Sequence, residues 1–132
     1  MYQYNAFVKN VIDGDTLEID IDLGLYTWIH GEKIRLLGIN TPEVFGEKKD
    51  SPEWILGNKA SNFVKLILKE KDKIIIETIR DKKEKYGRYL AVVYIKIAPK
   101  HLNGLNGIRN IGDFYCLNDI MVEKGYAEKY MI

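Results

Sequence analysis

The chain is 132 residues long, 46% hydrophobic and 30% charged, with three prolines and one cysteine. That balance describes one folded domain with a packed core and excludes a disordered, fibrous or disulfide-stapled chain. Twenty Lys and Arg against nineteen Asp and Glu leave a net charge of +1, so a polyanion is not held by bulk charge and any site for one must be local.

The charge is uneven along the chain: residues 1–68 sum to −3, 69–88 to +3 and 89–132 to +1. The acids gather between Asp13 and Asp22, the bases around Arg80, Lys82, Lys83, Lys85 and Arg88. Either run alone reads as a solvated face. Cys116 has no second cysteine and no nearby zinc-ligand pattern, so it reads as a small core residue. No apolar stretch approaches a membrane span, and Met1 leads straight into strand-like sequence. A cytoplasmic or phage-encoded protein is therefore expected, unless a secretion leader has been trimmed away.

In chain order, Ala6 to Ile12 reads as the first strand. Leu17, Ile19, Ile21 and Leu23 then alternate with Thr16, Glu18, Asp20 and Asp22, the period of a half-buried strand. Lys33 to Ile39, Lys73 to Ile79 and Tyr89 to Ile97 are further strands rich in Val, Ile, Leu and Tyr. Between the third and fourth strands, Ser51 followed by Pro52 starts a helix predicted over 52–69, with Leu56, Ala60, Phe63, Val64 and Ile67 on its apolar face. Asn103-Gly104 and Asn106-Gly107 predict an exposed hairpin or loop insertion over 98–114. A short helix over 118–124 ends at Gly125. About five strands with helices packed on them predict a mainly β fold, a small closed or partly open barrel.

Three strand ends combine charge with turn residues: Asp13-Gly14-Asp15-Thr16, Arg35 through Asn40-Thr41-Pro42-Glu43, and Tyr86-Gly87-Arg88. Asp13 and Asp15 offer hard oxygens suited to Ca²⁺ or Mg²⁺, although Asp-Gly-Asp-Thr alone is also an ordinary turn. Asn40 to Glu43 offers a side-chain oxygen, a carbonyl and a carboxylate, half of a metal site. Arg35 and Arg88 are two guanidinium forks that could clamp one phosphate, though either alone would normally be a surface ion pair. As an ensemble they are the parts needed for metal-assisted attack on a phosphodiester.

The segments Val11 to Thr16, Ile34 to Glu43, Lys85 to Ala91 and Val122 to Ala127, in that order around a helix, resemble the staphylococcal nuclease family across almost the whole chain. The resemblance implies a five-stranded OB-fold barrel with about three α-helices. It implies a nuclease dependent on one Ca²⁺ ion that cuts the P–O5′ bond of DNA and RNA, preferring single strands, and leaves 3′-phosphates. By position, Asp15, Asn40 and Thr41 match the metal site and Asp13 a neighbouring acid. Glu43 matches the group that activates water, Arg35 and Arg88 the pair that binds the scissile phosphate, and Lys85 and Tyr86 residues that hold the nucleotide. A monomer is implied.

Two features depart from that family. Asn40 stands where a second aspartate ligand is usual, which removes one negative charge. The segment Asp22 to Lys33 is longer than in the secreted enzyme, and His30 within it reads as a loop residue. The rival reading is an inactive OB-type module that binds single strands by stacking and local charge. Retention of Arg35, Glu43 and Arg88 favours the enzyme.

Overall fold

The computed structural model describes residues 2–44, 46, 48–83 and 87–130, with the side chains of 80–83 outside the description. Five long strands form the frame: β1 (Tyr2–Asp13), β2 (Thr16–Gly24), β3 (Thr27–Leu36), β5 (Lys73–Lys83) and β6 (Tyr89–Ile95). The order β3-β2-β1-β5-β6 closes on itself because β3 also pairs with β6. That closing pair is parallel, with Arg35 opposite Leu90 and Leu36 opposite Ala91, whereas the other pairs of the frame are antiparallel. The result is the expected small barrel, without open edges along its closed portion. Two-residue β4 (Ile39–Asn40) pairs with β9 (Glu128–Lys129), and the short β7 (Asn110–Ile111) and β8 (Phe114–Cys116) extend the sheet beyond β6.

Leu17, Ile19, Ile34, Leu36, Ile74, Ile76 and Ile95 fill the barrel, each less than 2% exposed. Helix α1 (Pro52–Ile67) covers one end with Ala60, Phe63 and Val64, and α2 (Leu117–Glu123) adds Leu117, Ile120 and Met121 to the same core. A second apolar layer of Ile75, Val92, Tyr94, Phe114 and Cys116 lies against the other face of β5 and β6. This explains why Ile74 to Ile76 and Val92 to Ile95 read as unbroken apolar runs: both faces of these strands are covered. Cys116 is buried, as its composition suggests.

Helix ends follow the sequence signals. Ser51 caps α1 by accepting the Trp54 amide at 3.2 Å, with Pro52 at the first helical position. Past α2, Gly125 at φ +80° lets its own amide reach the Val122 carbonyl and the Tyr126 amide reach Met121, the paired bonds of a glycine-terminated helix. Buried Asn118 of α2 accepts the Val93 amide at 3.0 Å and donates to the carbonyls of Leu37 at 2.9 Å and Ala91 at 3.2 Å. It fastens the helix to the barrel seam.

Among the described residues the helices are two α-helices and one 3₁₀ turn, Pro99–His101. Several expectations need correction. The 22–33 segment is a tight hairpin whose strands run to its tip, so His30 sits on β3, its Nδ1 3.3 Å from Asp20. Leu25 and Tyr26 form that tip with positive φ, and this pair lacks the Asn-Gly signature from which such a turn is read. The 98–114 stretch is mostly exposed and ends in the β7–β8 hairpin, but Leu102, Leu105 and Ile108 anchor it on the core. Leu56 and Leu23, assigned inward by periodicity, are 51% and 41% exposed. No helix is long and apolar enough to cross a membrane among the described residues.

Candidate active site

β1 passes into β2 through Gly14 and Asp15, with Asp13 paired to Thr16. The Asp15 amide donates to Asp13 Oδ1 at 3.1 Å, and the Asp15 carbonyl accepts the Leu36 amide at 2.9 Å. This turn is therefore locked to the end of β3. The Asp15 residue is 8% exposed, and both of its carboxylate oxygens have partners. Oδ1 accepts the Thr16 hydroxyl at 3.1 Å; Oδ2 accepts the Thr41 amide at 3.3 Å and lies 3.5 Å from Arg35 Nη2.

The two arginines meet here because the parallel β3–β6 pairing brings the ends of both strands to one edge. Arg35 Nη2 also donates to Asn40 Oδ1, and its guanidinium lies 5.8 Å from the Tyr130 ring centroid. Arg88 Nη1 donates to Thr16 Oγ1 at 3.1 Å. One guanidinium reaches Asp15 directly and the other through a single hydroxyl, so both forks are aimed across a common anionic anchor.

Asp13, Asp15, Arg35, Asn40, Thr41, Glu43 and Arg88 all line one pocket of about 80 Å³. It has room for a few waters. Every catalytic and metal residue expected from the motifs is in that lining, together with Asp13, whereas Lys85 and Tyr86 lie outside the described residues. Glu43 is exposed on the loop after β4, and its backbone amide donates to Glu53 Oε1 at 3.0 Å. A wider groove of about 510 Å³ continues from Asn40, Thr41 and Pro42 past Lys59, Lys124 and Tyr126.

The neighbouring carboxylates divide their proton unequally. Burial, and after it the hydrogen bond to and charge of Asp15, push Asp13 up to about 7. Burial also disfavours ionisation of Asp15, but the hydrogen bond from Asp13, the charge of Arg35 and the Thr41 amide outweigh it and hold Asp15 below the ordinary value. Two acids crowded at one edge, with an amide oxygen and the Thr41 backbone beside them, suit a hard divalent cation in kind. No group of three or more Asp, Glu, His or Cys converges on one point among the described residues, so such a site would depend on the neutral oxygens of Asn40 and Thr41.

Three contributors carried no readable signal of their role. Thr16 was part of a motif but links Asp15 to Arg88 only because the barrel closes. Glu53 has the signature of a helix first turn, where an acid needs no further explanation. Tyr130 reaches Arg35 through the β4–β9 pairing, which two residues cannot announce.

Residues 33–132 match the family model of the staphylococcal nuclease homologues. The Asp13–Asp15 turn precedes that span but falls within longer matches. The chain is 33% identical over 147 residues to an uncharacterised protein of Methanocaldococcus jannaschii, covering 97% of this chain and 60% of that protein. It is 42% identical over 88 residues to a thermonuclease of Staphylococcus intermedius, covering 67% and 47% of the two chains. It is 29% identical over 133 residues to Endonuclease YhcR of Bacillus subtilis, covering 98% of this chain and 9% of that protein. The chain thus spans less than two thirds of each of these relatives. With more than half of its length matched to the family model and its motifs gathered at one end of a closed barrel, the chain belongs to the family of staphylococcal nuclease homologues.

Proposed function

We propose that residues 1–132 act as a divalent-cation-dependent nuclease domain, with Ca²⁺ as the cation, which hydrolyses DNA and RNA strands to 3′-phosphates. The observation that carries this reading is the convergence of Arg35 and Arg88 on the Asp15–Thr16 anchor. Ion-paired arginines at a surface do not need a shared, buried carboxylate. Two forks fixed against one do suit a phosphate whose charge grows in the transition state. The names thermonuclease and endonuclease borne by relatives support the same chemistry.

Asp15, Asn40 and the Thr41 carbonyl would hold the cation, with Asp13 beside them. When bound, it supplies Lewis-acid polarisation of a phosphoryl oxygen. Arg35 and Arg88 donate to the remaining oxygens and stabilise the five-coordinate phosphorus. Glu43, exposed at the pocket edge, accepts a proton from the attacking water. The leaving 5′ oxygen departs on the opposite side and takes a proton from solvent, and the groove past Lys59 and Lys124 offers a path for the strand. An open groove with Lys59 and Lys124 along it favours single strands as substrate.

Incubating the protein with heat-denatured DNA, with Ca²⁺ and then with a chelator, tests the reading. Cleavage that stops with the chelator and leaves 3′-phosphate ends is the expected result. Retarded migration of intact strands, with no cleavage in either condition, would instead make the chain a binding module.

A further inference from the structure

Helix α1 carries two features that capping and amphipathicity leave unexplained. Glycine at 57 sits inside the helix, where alanine would be the better helix former. A side chain there has no space: a Cβ would lie 2.5 Å from Val44 Cγ2, 2.6 Å from the Pro42 carbonyl oxygen and 3.1 Å from the Glu43 carbonyl oxygen. Two of these neighbours are backbone. The helix backbone therefore rests directly on the loop that carries Glu43. One turn earlier, Glu53 Oε1 accepts the Glu43 amide.

One turn later, the same face meets the other half of the site. Ala60 is fully buried, and a Cβ built on Gly14 would lie 2.8 Å from the Ala60 Cβ and 3.1 Å from Thr41 Cγ2. Gly14 has no positive φ, so close approach rather than turn geometry requires glycine there. Glu53, Gly57 and Ala60 stand at i, i+4 and i+7, one stripe of the helix. We propose that this stripe is a spacer in which Glu53 and Gly57 are positioning residues for the Glu43 loop, while Ala60 seats the Asp13–Asp15 turn, so that α1 fixes the distance between them. The catalytic part of the proposal rests on the roles given above to Glu43 and Asp15.

The full chain tests it through two variants at Glu53 and one at Gly57. Glu53→Gln keeps an oxygen acceptor for the Glu43 amide, and Glu53→Met keeps length without one. Met should speed hydrogen exchange of the Glu43 amide by about tenfold, measured without metal or nucleic acid. It should also lower kcat on denatured DNA by about tenfold while KM stays within about twofold, and Gln should leave all three near the parent. Gly57→Ala must move the loop by about an ångström and should lower kcat by on the order of a hundredfold. Unchanged Glu43 exchange in Glu53→Met, or parental kcat in Gly57→Ala, overturns the spacer. A parent chain that cleaves nothing, with the exchange responses as described, keeps the spacer and removes the nuclease reading instead.

Discussion

Asp15 and Arg35 belong to the barrel, whereas Glu43 belongs to a loop that leaves it. The barrel half is bound on every side: Asp15 by Thr16, Thr41 and Arg35, and its turn by the Leu36 amide. In the loop half the Glu43 side chain is exposed, and among the described residues the Glu53 side chain tethers the Glu43 amide. Buried charged networks lose stability when one member is removed, because the partners remain desolvated. An exposed carboxylate has no such debt. Chemistry and stability should therefore be coupled in the first region and separable in the second.

The largest effect is expected where they separate. Glu43→Gln is nearly isosteric but cannot take a proton, and should lower the cleavage rate by on the order of a thousandfold. Its melting temperature should stay within about 2 °C of the parent, because the side chain is exposed. Calorimetry and a single-turnover assay on the same preparation check both halves. A large drop in melting temperature would erase the contrast between the regions.

Replacing Arg35 or Arg88 by Lys keeps the charge but removes the fork, and should lower turnover by about a hundredfold. The Arg35 change should also lower stability by about 1–3 kcal/mol, since Asp15 and Asn40 lose a donor. Denaturant titration of both lysine variants would sharpen the comparison. Equal stability in Arg35→Lys and the parent would show that Asp15 does not depend on its arginine.

A smaller effect is expected at Asn40. Its oxygen accepts from Arg35, and an aspartate there would add charge beside the pocket without losing that partner. Asn40→Asp should lower the Ca²⁺ concentration for half-maximal cleavage by roughly a few-fold. An unchanged or higher requirement, measured by titrating the ion against rate, would place residue 40 outside the cation site.

The smallest effect lies away from the site, where Arg109 grips Asp119 with Nε to Oδ2 and Nη2 to Oδ1, both at 2.9 Å. Burial opposes ionisation of Asp119, but these bonds outweigh it and hold its carboxyl below the ordinary value. A depressed carboxylate adds stability above its unfolded value near 3.8, and that stability disappears as pH falls through the folded value. Asp119→Asn should therefore melt below the parent at pH 7 by the worth of a surface pair, about 1 kcal/mol or less. The gap should close below pH 4. A gap independent of pH would assign it to packing.

The barrel was legible because Leu17, Ile19 and Ile21 alternate and because Ser51-Pro52 and Gly125 mark helix ends with local chemistry. Its closure was not, since Arg35 opposite Leu90 is a parallel, non-local pairing that no period records. The site shows the same division. Asp13, Asp15, Arg35, Asn40, Thr41, Glu43 and Arg88 were found by motif, and the pocket unites them. Thr16, Glu53 and Tyr130 act through partners at least ten residues away, apart from the Thr16 contact with Asp15. Local chemistry is written in short words of sequence, and support from a distance is not. Leu56 and Leu23 show the reverse error, in which the right period runs past the edge of the core that gives it meaning.

The parallel seam also bears on when the protein becomes able to act. Arg35 and Arg88 are about fifty residues apart in sequence, and they share an edge only after β6 has docked against β3. Contacts that distant form late, because the intervening chain must first be ordered. During synthesis, a growing chain that ends before Tyr89 holds the acids, the Glu43 loop and α1, yet it lacks the β6 strand that sets Arg88 beside Arg35 in the proposed phosphate clamp. Whatever the two arginines bind together, the order of strands along the chain defers their meeting until β6 has been made and docked.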